Sequence, residues 1–432
     1  MCMCTFIKIN AFPGDMIMQR KKYYQFILIG LLLLDIVVSI LYYVWYLDRK
    51  IPANINIIEN TEESFDFSLP VQCNDVASDT IKVFNNSQHG GKVKVVAGES
   101  TGSCKAELKL FGIFHYRNIK FNVVKKQKLI PSGRAAGIYV NAKGVMVLGT
   151  SSVVGKGGNS YSPSKNILQA GDYIYNVAGE EVSSIDDIEK ILQTLGSGNI
   201  KMKIRRGKEK IDVKVKAIEN EDGKVKIGTW LREDTEGIGT ITYISPDNTY
   251  AALGHGIADA DTGLLVDISA GGLYEAAVNK VIPSKRGVPG QISGSVELSD
   301  RCRIGSIISN NDSGIKGEIL KSEAVNCDNK YAVPVALKQD IKKGKAYILC
   351  QLDDDVKKYE IEICNIIQNA KENKDMVIKV TDKKLLKKTG GIVQGMSGSP
   401  IVQDGRIVGA VTHVFVDEPT KGYAIFIEKM LK

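Results

Sequence analysis

Residues 394–411 read Gln394-Gly395-Met396-Ser397-Gly398-Ser399-Pro400-Ile401-Val402, then Asp404-Gly405-Arg406-Ile407-Val408-Gly409-Ala410-Val411. A serine flanked by glycines can sit on a tight turn with its Oγ exposed, because glycine reaches backbone conformations closed to other residues. The N–H groups of such a turn converge, and converging donors stabilise the oxyanion that forms when a carbonyl is attacked. Here those donors are the N–H groups of Gly395 and Ser397. A bare Gly-x-Ser-Gly turn also fits an ordinary hairpin; the continuation into Pro400, an apolar pair, a Gly turn and the run IVGAVTHV makes the pattern specific. A serine hydroxyl needs a base within hydrogen-bond reach, and the chain offers only four histidines, His89, His115, His255 and His413. His89 and His115 stand in no partner motif and read as surface or satisfied polar residues. His255 lies in Tyr250-Ala-Ala-Leu-Gly-His-Gly-Ile257, small residues that leave an imidazole accessible, and is taken as the base. His413, on the strand after the serine turn, is the rival for that role.

The serine turn with its following strand resembles the nucleophile region of chymotrypsin-like serine peptidases. His255 precedes Ser397 by 142 residues, which fits one barrel contributing the base and a second the nucleophile. Ser399 occupies the place of a backbone glycine in that pattern. Met396 replaces the acidic residue common in digestive relatives. The resemblance places a substrate-binding edge on the strand that carries His413 and the primary pocket near Gly391, with Gly422-Tyr423 on its far wall, and nothing in the pocket announces a buried charge. The third member of such a site is a carboxylate that orients the histidine, and Asp259, Asp261 and Asp267 are candidates by their closeness to His255 in sequence.

Upstream, Phe26–Tyr46 is an apolar run of the length needed to cross a hydrocarbon core. Arg20, Lys21 and Lys22 precede it, and basic residues mark the cytoplasmic flank. This reads as an uncleaved signal anchor over 23–47 that leaves residues 1–22 inside and exports the rest. Met18 is a natural start, so the residues before it read as an extended gene model. Short β-forming segments separated by Gly, Asn and Ser turns mark a small β domain over 53–126. Cys73 and Cys104 fall there, where a bridge is chemically open. The stretch 127–220 contains LQAGDYIYNVAGEEV and then IDDIEKILQ with Ser183 or Ser184 as helix cap. These features resemble a PDZ domain, and the resemblance implies a peptide-carboxylate loop at Ser132–Ile138 with Gly133, Ala136, Gly137 and Ile138 as its contacts. The peptidase part then runs over 228–432. The expected fold is thus mainly β: transmembrane helix, small β domain, PDZ domain and chymotrypsin-like double β-barrel.

Composition narrows the function. A net charge of +8 over 432 residues is far from that of a dedicated nucleic-acid binder, and no Cys/His spacing fits a zinc site. GHGI at 254–257, VIPSKRGVPGQISG at 281–294, and Thr381-Asp382 before GGIVQGMSGSPIV together resemble the stage IV sporulation protein B (SpoIVB) peptidases. That resemblance maps the family's acidic residue onto Asp382; Thr412, on the strand after the nucleophile, is placed to hydrogen-bond the carboxylate and to line the substrate cleft. It implies a membrane-anchored serine endopeptidase that needs no metal or organic cofactor. It also implies a setting: made in the forespore, the protein faces the space between forespore and mother-cell membranes. There it cleaves itself and then a regulatory subunit of an intramembrane metalloprotease complex, which triggers processing of a mother-cell pro-sigma factor. An envelope quality-control protease is a weaker reading, because there the PDZ unit follows the catalytic part. A PDZ adaptor with an inactive peptidase scaffold is opposed by the intact Ser397 and His255.

Overall fold

The computed structural model describes residues 13–67, 71–85 and 91–432, with side chains left out at 13–22, 50 and 85. The expectations for residues 1–12, for the basic side chains Arg20–Lys22 and for His89 lie outside the described residues.

A single helix spans Pro13–Lys50, and its segment Tyr23–Arg49 is apolar with exposed side chains, as a single-pass membrane anchor requires. Its end is different. Leu47 and Ile51 are fully buried in the core of the next unit, beside Ile55, Phe121 and Leu108. That unit consists of two four-stranded sheets, and its strands alternate buried and exposed residues as half-buried strands do. Asn54–Ile58 runs parallel to Phe114–Val124, while the other pairings are antiparallel. Cys73 and Cys104 are both free thiols.

Two closed six-stranded barrels follow. The first takes the strands Ala135–Thr150, Ile268–Ile282, Arg303–Asn311, Gly314–Ile319, Thr249–Ala252 and Thr229–Ile244 in that spatial order, and the last pairs back onto the first through Ala135↔Thr240. The second closes in the order Gly344–Gln351, Val356–Ile366, Met376–Val380, Lys421–Phe426, Arg406–Val414 and Pro400–Gln403. Each barrel has its own apolar filling. Closure removes free sheet edges, the standing hazard of all-β proteins.

The order of units differs from the sequence reading. Residues 135–142 do not open a PDZ domain; they pair with 234–240 on one side and 268–275 on the other, inside the first barrel. The PDZ-like unit is an insertion. It begins where the long strand Ala135–Thr150 leaves the barrel and ends where Thr229–Ile244 re-enters it, and Val145 and Met146 at the far end of the long strand already pair with Tyr173–Val177 of the insert. Inside the insert the helix Ile185–Leu195 carries a full capping box between Ser184 and Asp187, a motif that stabilises by about 1 kcal/mol. Asp172 is buried and held by both Nε and Nη2 of Arg206 at 2.7 Å. A bidentate guanidinium is the geometry that makes a buried carboxylate tolerable.

Candidate active site

The serine turn lies between the barrels. Gly395 and Gly398 both hold left-handed φ values, +96° and +94°. At Gly398 the requirement is absolute, because a Cβ there would lie 2.1 Å from the carbonyl oxygen of Thr240 and 2.5 Å from the nitrogen of Leu253. The turn is therefore pressed against the first barrel, whose Thr240 N–H donates to the Ser397 carbonyl and whose Thr240 Oγ1 donates to the Gly395 carbonyl at 2.7 Å. These contacts turn the carbonyls of 395 and 397 toward Thr240. Among the described residues no acceptor takes the N–H of Gly395 or of Ser397. Ser397 is half-buried, with its Oγ donating to the Thr412 carbonyl at 2.8 Å. Ser399 is fully buried beside Cys350 and unreachable from solvent, while Met396 fills the second barrel's core.

His255 follows directly on Leu253 and Gly254, the residues that touch the serine turn and the neighbouring strand. A Cβ on Gly254 would meet Thr412 Cγ2 at 3.1 Å, so base and nucleophile loops interlock. The imidazole is half-buried, and its Nδ1 lies 3.0 Å from the Gly256 carbonyl oxygen. That contact suits an Nδ1–H tautomer and leaves Nε2 as the basic nitrogen. Desolvation holds the His255 pKa below its ordinary value despite the Gly256 bond, which pulls the other way. The ring of His413 stands 5.2 Å from it. His413 is itself pushed down to about 4, first by desolvation and then by the charges of His255 and Lys374. A cleft of about 1130 Å³ opens beside His255 and is lined also by Gln394, Tyr139, Arg232, Asp234 and Glu236.

Several expected residues stand elsewhere. Asp382, expected as the carboxylate orienting His255, is the N-cap of the helix Lys383–Thr389 and accepts from the N–H groups of Lys384 and Leu385. Its other oxygen faces the Glu360 N–H. Its pKa is lowered because those backbone donors outweigh desolvation, and His255 has no part in that. Thr412 Oγ1 bonds the Asn373 carbonyl rather than a carboxylate. Of the sequence rivals, Asp259 is buried against Arg232, with Asp261 on the same guanidinium, and Asp267 pairs with Arg205. Among the described residues no carboxylate pairs with His255. Gly391, expected in the cleft, is buried with its N–H on Thr389 Oγ1 and packs under Pro419. His115 forms a surface pair with Glu107.

The expected carboxylate loop at 132–138 is also corrected. The N–H groups of Ser132 and Gly133 already donate to Thr242 and Ile241, and that of Ala135 to Gln351 Oε1. Gly133 lies so close to Leu349 of the second barrel that a Cβ would fall 2.7 Å from its carbonyl. These groups seal the joint between barrels and leave nothing for a peptide terminus. The insert has its groove elsewhere, about 560 Å³, between Ser151–Val154 and the helix face Ile185, Ile188 and Leu192, with the exposed Trp230 at its rim. The run Gly149-Thr-Ser-Ser-Val153 after the long strand was the signal that could have located it.

The family profile described as SpoIVB peptidase S55 matches residues 223–431. Among curated proteins, none matches the chain. Among solved structures, the PDZ domain of the SdrC-like protein from Listeria monocytogenes is 22% identical, with 20% of this chain and 86% of that chain covered and a TM-score of 0.18. With two closed barrels meeting at a Gly-Met-Ser-Gly turn and a histidine, residues 223–431 belong to the SpoIVB S55 family, and the chain is a serine peptidase of the sporulation type.

Proposed function

We propose that Ser397 is the nucleophile and His255 its base in a membrane-anchored, extracytoplasmic endopeptidase. The observation that carries this is the pair of unshared N–H groups at Gly395 and Ser397, set by a turn that the first barrel locks through Thr240. Attack requires the Ser397 Oγ to rotate from the Thr412 carbonyl toward Nε2 of His255. The proton passes to Nε2, the oxyanion enters the two N–H groups, and the imidazolium then protonates the leaving amine. Water hydrolyses the acyl-enzyme by the same route in reverse. The Gly256 carbonyl holds the imidazole tautomer, the task that a carboxylate performs in a Ser-His-Asp triad.

The target belongs to the same proposal. The enzyme cleaves itself, then a regulatory subunit of an intramembrane metalloprotease complex, and so releases a mother-cell sigma factor from its pro-form. The family membership and the apolar helix Tyr23–Arg49 support a forespore protein whose bulk faces the intermembrane space. The groove at Ser151–Val154 is our site for peptide docking on the insert, in place of 132–138. The test is self-cleavage of the full-length chain in membranes, followed by N-terminal sequencing. Wild type should yield discrete new N-termini, and Ser397→Ala and His255→Ala should yield none. Fragments from the Ser397→Ala protein would refute the assignment.

A further inference from the structure

The loop 256–267, which leaves His255 and leads into the strand Ile268–Ile282, is held far more tightly than a surface connection usually is. Asn310 grips its base, accepting from the Ile257 N–H and donating to the carbonyls of Ile257 and Val266. At its tip, Asp259 is fully buried. One oxygen accepts from the N–H groups of Asp261 and Thr262 and from the Thr262 hydroxyl. The other takes Nη1 of Arg232, while Nη2 of the same guanidinium reaches Asp261 at 2.7 Å. The loop's far end meets the insert: the Asp267 N–H donates to Tyr173 Oη, and Asp267 pairs at 2.8 Å with Arg205, itself stacked on Tyr173.

We propose that Arg232 is a positioning residue for His255, fixing the loop 256–267 through the buried carboxylate of Asp259. Arg232 stands where the chain leaves the insert and re-enters the first barrel, opposite Met146. Its neighbours face the other way: Leu231 lines the insert's groove, and Glu233 accepts from the Ile185 N–H at the start of the helix. The guanidinium therefore ties the base's loop to the framework of the insert. A fork is needed because two carboxylates must be met at fixed geometry, which an ammonium does less well. Losing it leaves Asp259 buried without its cation, and the loop must shift to bring water or solvent to that oxygen. A displacement of His255 near 1 Å is enough to cost about a hundredfold in rate.

The inference rests on His255 being the base, and the test separates the two. Full-length protein in nanodiscs is titrated with a fluorophosphonate probe across pH 5–9, giving a maximal labelling rate constant and a probe binding constant for each variant. Arg232→Gln should lower the rate constant by about tenfold or more with little change in probe binding. It should also move the acidic limb upward toward the ordinary histidine range, because a loosened loop hydrates the imidazole. Arg232→Lys should recover part of the rate. Unchanged rate and pH midpoint in a folded Arg232→Gln protein would overturn the proposal, and so would weaker probe binding alone, which would make Arg232 a substrate contact. Should Arg232→Gln not fold, Asp261→Asn removes only the exposed half of the fork: a slower rate with a shifted limb supports the proposal, and wild-type behaviour overturns it. Wild-type labelling in His255→Ala would sink the base assignment itself, whatever Arg232 does.

Discussion

Asp382 commits both carboxylate oxygens to backbone N–H groups at the start of a helix and beside Glu360. As a cap it is replaceable. Asp382→Asn should leave fluorophosphonate labelling nearly unchanged, and Asp382→Ala should cost about 1 kcal/mol in a denaturant melt. An orienting carboxylate behaves otherwise, since its amide variant loses about four orders of magnitude in rate; a loss of that size would return Asp382 to the catalytic group. His413 gives a second residue-level expectation. Its folded pKa is about 4 against 6.5 for the free side chain, so between those values the unfolded chain binds the proton that the folded one refuses. Stability should therefore fall as pH drops from 6.5 toward 4 and be insensitive to this group above 6.5. Melts of wild type and His413→Gln at pH 7 and 4.5 check it, the variant losing less on acidification. The glycine-flanked turn around Ser397 and a helix cap at Ser183 or Ser184 were legible in the sequence because each is announced by its immediate neighbours. The roles of Asp382 and Gly133 were not, because a cap and a barrel joint look like any acidic or small residue until their distant partners are known.

The nucleophile turn is supported by a second element, the hairpin formed by Ile268–Ile282 and Gln291–Val296. It reaches from the first barrel across to the second, where the Ile292 N–H donates to the Gln394 carbonyl and the Gln394 N–H to the Gly290 carbonyl. At its tip the buried Ser284 donates to the Ile392 carbonyl and accepts from the Gly290 N–H, both at 2.8 Å. Ser284→Ala orphans those groups and should cost about 1–3 kcal/mol in a denaturant melt. Labelling should slow as well, since Gly395 packs on Ile292; an unchanged labelling rate would show that the hairpin does not hold the turn. The run VIPSKRGVPGQISG marked this segment as distinctive, but only the pairing of 290–292 with Gln394 shows what it holds.

Across the whole molecule, the insert is the part the sequence misplaced most. Its own strands and helix were readable, because their periodicity is local. Its point of entry was not, because the choice between opening a PDZ unit and closing a barrel depends on pairing with residues a hundred positions away. The structure makes that choice testable. Thr150 and Thr229 are cross-strand partners, so residues 151–228 can be replaced by an Asn-Gly turn, the usual two-residue hairpin link. The shortened chain should keep its β-rich circular dichroism yet label about tenfold or more slowly, since the His255 loop loses Tyr173 and Arg205. Undiminished labelling would mean that the barrels position His255 unaided. The central claim, that chemistry occurs at the turn locked between the barrels, is tested most directly by digesting the fluorophosphonate-labelled full-length protein and locating the adduct by mass spectrometry. The account predicts a single adduct on Ser397 that is absent from His255→Ala, and an adduct on any other residue, or one retained without His255, would contradict it.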